Sequence, residues 1–283
     1  MSSKRLKRIT NEIKELQESS HILKENGIYV HINEENISTV HAMLIGPEKT
    51  PYEKGFYFFK IDYSNDYPMT PPNVKYLTQG VLNNPVSKNV FNVRFNPNLY
   101  TCGKVCLSMI NTWQGDGWVP TNTVTNVLIA IQALVLNEEP LRNEPGYEKA
   151  DKKVITDYNN LIEYANIKIS VLNMLKTQPL NCDVFKPIMI DYFMKNIDFY
   201  RNFVLIKNDL LKNVTLECPY SMKVTSNYDL LINEIAEVEE GIIQGISLNI
   251  LDINLNGEKY VPCEPDGEPP GYTGNDSSNN TII

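Results

Sequence analysis

The chain has 283 residues, more than one typical domain but not enough to require two independent ones. Apolar residues make up 42%, which supports a real core, and charged residues only 21%, which excludes a chain disordered by composition. A formal net charge of −8 argues against general nucleic-acid binding, and no apolar run approaches the ~18 residues of a membrane span. The N-terminus, Met1-Ser2-Ser3-Lys4-Arg5, leads into an amphipathic pattern rather than a signal peptide. Leu6, Ile9, Ile13 and Leu16 recur at helical spacing, with Lys4, Arg5, Lys7, Arg8 and Lys14 largely on other faces.

Strand-like stretches follow at 27–32, 38–46 and 56–63. Val40, Ala42 and Leu44 alternate with His41, Met43 and Ile45, so both faces of that strand are expected to be covered. Gly46-Pro47 and Thr50-Pro51-Tyr52 are turn signals, and the whole predicts a small antiparallel meander backed by helices. Asp66-Tyr67-Pro68-Met69-Thr70-Pro71-Pro72 is a rigid, proline-set loop. A helix is predicted over 122–137, with Val124, Val127, Leu128, Ile131, Leu134 and Val135 on one side and Thr121, Asn122 or Thr123 as its cap.

After Tyr147 the composition shifts. Helices are predicted at 151–177, 183–206 and about 227–246, packed on the core because charge-rich linkers are missing. From Glu264 the chain is rich in Asp, Gly, Pro, Ser and Asn and is expected to be disordered. The expected division is therefore a core at 1–150, a helical extension at 151–263 and a disordered tail at 264–283. Five scattered cysteines, an odd number, read as reduced thiols in a cytoplasmic or nuclear setting.

The chemistry concentrates at Asn96-Pro97-Asn98-Leu99-Tyr100-Thr101-Cys102-Gly103-Lys104-Val105-Cys106-Leu107-Ser108. A side-chain amide, held after a proline, stands eight residues before a thiol. A thiolate is a strong nucleophile near neutral pH, and a fixed amide can stabilise the oxyanion formed when a thioester is attacked. The pair points to acyl transfer through a thioester. Cys102 competes for the nucleophile's role, and a zinc reading of Cys102 and Cys106 needs two further ligands that no neighbouring Cys or His pair supplies.

Asn-Pro-Asn, Gly-Lys-Val-Cys-Leu-Ser, Thr112-Trp113 and Trp118-Val119-Pro120 resemble the active-site stretch of ubiquitin-conjugating enzymes. The family usually has His where Asn96 stands. Arg94-Phe95-Asn96-Pro97-Asn98-Leu99-Tyr100 and Asn143-Glu144-Pro145-Gly146-Tyr147-Glu148 resemble its large subclass, which includes the Z-type enzyme and the hybrid conjugating-enzyme/ligase proteins. The likeness covers roughly 4–150 strongly and 155–205 weakly. It implies an α+β, UBC-like fold: an N-terminal helix, a four-stranded antiparallel meander and following helices, here with a C-terminal helical extension.

The resemblance also implies a function. An activating enzyme would hand ubiquitin, or a ubiquitin-like protein, to Cys106 as a thioester, and a ubiquitin ligase would direct its transfer to a protein substrate. No metal or cofactor is implied, since ATP is used by the activating enzyme. Nor is a nucleic acid or a membrane implied as partner. Asn98 is the oxyanion donor or a loop support. Glu144 and Asn143 are the matching candidates for orienting a lysine amine, whose pKa of about 10.4 leaves it protonated at neutral pH. Lys7 and Arg8 on the first helix, Met69 and Pro120 match positions that meet the activating enzyme or the ligase. The alternatives are a catalytically inactive scaffold of the same fold that binds ubiquitin or a ligase, and an unrelated cysteine hydrolase. The hydrolase would need His21, His31 or His41 brought beside Cys106.

Overall fold

The computed structural model describes residues 3–33, 35–84, 88 and 90–245. The tail expected at 264–283, and the end of the extension from 246 onward, lie outside the described residues. Helix α1 (Ser3–Glu18) and the short α2 (Ser20–Glu25) precede a four-stranded sheet of β1 (Ile28–Ile32), β2 (Thr39–Ile45), β3 (Phe56–Asp62) and β4 (Asn73–Tyr76). The strands lie in sequence order and every pair is antiparallel, with Tyr29 opposite Met43 and Met43 opposite Phe58. All seven residues of β2 are buried, as its two apolar faces require.

The face of α1 turned to the protein is not quite the one the spacing predicts. Arg5, Ile9, Glu12 and Leu16 are buried, whereas Leu6 is 41% exposed. Arg5 goes inward because its guanidinium donates to the carbonyls of Ser64 at 2.7 Å and Tyr63 at 2.8 Å. A charged side chain can be buried when its donors are satisfied in this way. Leu16 and Leu23 line a cavity with Ile28, Val30 and Ile32, one face of β1.

β5 (Val81–Asn83) and β6 (Val90–Asn92) pair antiparallel ahead of the Asn96–Ser108 segment. Helix α3 (Val124–Ala130) begins with Thr123, whose hydroxyl accepts from the Asn126 amide nitrogen while the Asn126 side chain accepts from Thr123 in return. The helix widens into a π-helical turn over Ile131–Val135, which rotates Leu134 outward to 58% exposure instead of placing it on the buried side.

The extension forms α4 (Lys152–Ala165), a π-helical stretch at Asn166–Asn173 and α5 (Met174–Lys176) in one run. It continues with α6 (Lys186–Lys195), α7 (Ile197–Leu211), a hairpin of β7 (Thr215–Cys218) and β8 (Met222–Thr225), and α8 (Tyr228–Ile243). The single helix expected over 183–206 is divided at Asn196, and the β7–β8 hairpin was not expected. The extension closes the sheet face that carries His31, Phe56 and Phe58. Phe185 sits 5.9 Å from Phe58 and 6.4 Å from His31, and Tyr192 lies 6.0 Å from Phe56, measured between ring centroids. Tyr57, pointing to the opposite face, donates to Asn166 Oδ1 at 2.7 Å. Burying such aromatic rings contributes on the order of 2 kcal/mol each.

Candidate active site

The segment that carries the two asparagines and the thiol is an irregular loop held at many points. Asn96 is fully buried. Its amide nitrogen donates to Val135 O at 2.6 Å and to the Tyr52 hydroxyl at 2.9 Å, and its oxygen accepts from Asn98 N at 2.8 Å. Tyr52 in turn donates to Phe95 O at 2.7 Å. An amide does this work as well as an imidazole because it both donates and accepts. The turn after Asn98 is closed by Gly103, which has φ of +90° and donates to Tyr100 O. A Cβ there would stand 2.8 Å from Tyr76 O, so the turn can dock on β4 only with glycine at this position.

Asn98 and Cys106 are joined twice. Cys106 N donates to Asn98 O at 2.8 Å, and the Asn98 side-chain amide donates to Cys106 O, also at 2.8 Å. The amide therefore grips the backbone of the cysteine. Thr112 fixes the other flank by donating to Val105 O and accepting from Leu107 N.

Cys106 is only 2% exposed. Its chain neighbours Val105 and Leu107 are buried in the hydrophobic core as well. The polar groups that bear on the sulfur are the Tyr100 hydroxyl, Lys104 and Arg94. Burial pushes the thiol above its ordinary pKa, while Lys104, the Tyr100 hydrogen bond and Arg94 pull it back. The Arg94 guanidinium lies between two rings, 3.8 Å from the Tyr100 centroid and 4.4 Å from that of Tyr220, and donates to Pro97 O at 2.8 Å.

Glu144 ends the 3₁₀ turn at Pro140–Asn143 and is 9% exposed. Its carboxylate accepts from the Tyr220 hydroxyl at 2.7 Å. A contact path thus runs from Glu144 through Tyr220, Arg94 and Tyr100 to Cys106. Asn143 is not on this path. Its amide donates to Leu134 O at 3.0 Å and its oxygen accepts from Asn137. Tyr100 and Arg94 lie inside the motifs, but nothing in those motifs points to a role for either. Tyr220 carried no local signal, being 76 residues from Glu144. Among the described residues, no group of three or more His, Cys, Asp or Glu is placed to hold a metal ion.

Of the four residues matched to partner contacts, Arg8, Met69 and Pro120 lie on elements tied to one another by hydrogen bonds. Arg8 pairs with Glu12 at 2.6 Å and donates to Asn122 O at 2.8 Å, which ties α1 to the loop carrying Pro120. The Trp118 indole donates to Pro68 O at 2.7 Å and so ties that loop to the one carrying Met69. Met69 is 72% exposed, and Lys7 and Pro120 are exposed too. A core role for Met69 is thereby excluded.

A family model described as ubiquitin-conjugating enzyme matches residues 8–169. Among curated proteins, ubiquitin-conjugating enzyme E2 Z of Xenopus tropicalis is 40% identical over 178 residues, covering 62% of this chain and 53% of that protein. The Homo sapiens E2 Z is 37% identical over 202 residues, covering 70% of this chain and 53% of its own length. The Danio rerio E2 Z is 38% identical over 178 residues, covering 62% and 50%. The chain thus spans about half the length of these relatives. Among the described residues no helix is long and apolar enough to cross a membrane.

Proposed function

The chain belongs to the ubiquitin-conjugating enzyme family and has its fold, and on that premise we propose that it carries ubiquitin or a ubiquitin-like protein as a thioester on Cys106. The Cys106 thiolate attacks the thioester carbonyl presented by an activating enzyme and expels that enzyme's thiolate. A substrate amine, brought by a ligase, then attacks the new thioester and Cys106 leaves as thiolate. The amine's proton passes to Glu144 or to solvent. Exchange of one thioester for another is nearly isoenergetic, so the chain needs no strong base for the first step. ATP is consumed by the activating enzyme, and no cofactor of its own is needed.

The observation that carries this reading is the double tie between Asn98 and Cys106. It fixes the cysteine backbone, and with it the sulfur, at the tip of a braced loop. In this arrangement Asn98 acts as the loop support. The polar groups near the sulfur, chiefly Tyr100, swing aside for the modifier's extended tail. Lys7, Arg8, Met69 and Pro120 form the surface for the activating enzyme and the ligase, and Glu144 rather than Asn143 is the group that meets the amine.

The covered thiol is the one feature that favours a non-catalytic scaffold instead. Incubation with an activating enzyme, ATP and ubiquitin separates the two readings. The expected result is an adduct that dithiothreitol removes and that Cys106→Ala abolishes. A chain that binds ubiquitin or a ligase yet forms no adduct would be a scaffold.

A further inference from the structure

We propose that Tyr220, supplied by the β7–β8 hairpin of the extension, is a positioning residue for transfer: its hydroxyl holds the Glu144 carboxylate in the orientation that the incoming amine uses. The inference rests on the conjugating reading above. It starts from three contacts between the extension and the segment leading into the active-site loop. Tyr158 of α4 donates to Arg94 O at 2.8 Å, Met222 Sδ accepts from Arg94 N at 3.3 Å, and the Tyr220 ring covers the Arg94 guanidinium. The hairpin therefore docks on the residue that also packs against Tyr100, a side chain near the Cys106 sulfur.

The fourth contact is the one with chemical content. The Tyr220 hydroxyl donates to Glu144 Oε2 at 2.7 Å, and Glu144 is buried. A buried carboxylate with a single firm donor has its direction set by that donor. Burial and the Glu144 carboxylate both push the Tyr220 phenol above its ordinary pKa, so it stays a donor across the physiological range. The backbone points the same way. Tyr220 has φ of +64° and Ser221 +56°, a left-handed conformation that costs a residue with a Cβ. A turn selected for hairpin stability alone would favour glycine or asparagine at the first of these positions. A tyrosine there places a ring and a hydroxyl where a glycine has neither.

The test uses the full chain, first charged and then freed of activating enzyme, with free lysine as the acceptor. Tyr220→Phe keeps the ring on Arg94 and removes only the hydroxyl. It is expected to lower the lysine-dependent discharge rate at saturating lysine about fivefold, with the half-saturating lysine concentration unchanged. The rate of charging and the rate of thioester hydrolysis without amine should both stay within about twofold. Glu144→Gln should also slow discharge, and the double variant should be no slower than Glu144→Gln alone, because Tyr220 acts through Glu144. The inference is overturned if Tyr220→Phe discharges at the unaltered rate, if the two substitutions multiply, or if charging, hydrolysis and discharge all fall together. The last result is that of a merely structural residue. Should the unaltered chain form no adduct, the conjugating reading fails and takes this inference with it. A normal adduct with normal Tyr220→Phe discharge defeats the inference alone.

Discussion

At Cys106, burial and local charge act in opposite directions on one sulfur. Burial is the larger and holds the thiol protonated at neutral pH, while Lys104, Tyr100 and Arg94 favour the thiolate. Because only the thiolate reacts, alkylation of Cys106 by iodoacetamide should speed up about tenfold per pH unit from neutrality until the raised pKa is passed. Lys104→Ala removes a favourable positive charge, raises the pKa further and should slow alkylation at pH 8 about threefold. Mass spectrometry of the Cys106 peptide reads this. A rate that is flat with pH, or faster in Lys104→Ala, would contradict the electrostatic picture. At this scale the candidates themselves were legible in the sequence, since Asn98, Cys106 and Glu144 all lie in short motifs. Two things were not. The polar surroundings of the sulfur depend on where the Tyr100 side chain falls. The separation of Glu144 from Asn143 depends on Asn143 being claimed by Leu134 O and Asn137.

Among the elements, α1 is fastened to the following loops by the guanidinium groups of Arg5 and Arg8 and by one buried carboxylate. Glu12, 2% exposed, pairs with Arg8, accepts from the Tyr67 hydroxyl and accepts from Val124 N at the start of α3. Glu12→Ala leaves these donors unpaired and should cost about 3 kcal/mol, read as a lower denaturant midpoint with unchanged slope. A loss under about 0.5 kcal/mol would mean that the contacts are incidental. Periodicity revealed α1, the first three strands of the meander, α3 and most of the extension. It misassigned the inner face of α1, because hydrophobicity does not report that Arg5 finds two carbonyls. It placed Leu134 inside, because a π-helical turn breaks the 3.6-residue repeat. The β7–β8 hairpin escaped because each strand has four residues and the link Pro219-Tyr220-Ser221 lacks glycine.

The whole molecule differs from a bare meander with helices in that its extension is part of the core. Phe185 and Tyr192 cover Phe58, His31 and Phe56, and Tyr158, Tyr220 and Met222 brace the segment that leads to Cys106. A chain ended at residue 150 would expose that sheet face. It should lose its cooperative thermal transition, as followed by circular dichroism. A transition at the temperature of the full chain would show instead that the extension only rests on the core.

The central claim is that the sulfur of Cys106 carries the modifier, and the direct test is to locate the bond. The Cys106→Ser variant, charged with an activating enzyme, ATP and ubiquitin, should give an adduct that survives dithiothreitol but not mild alkali, and tandem mass spectrometry should place it at position 106. An adduct on Cys102, or a Cys106→Ser chain that stays unmodified while Cys106→Ala still forms a reducible adduct, would contradict the account.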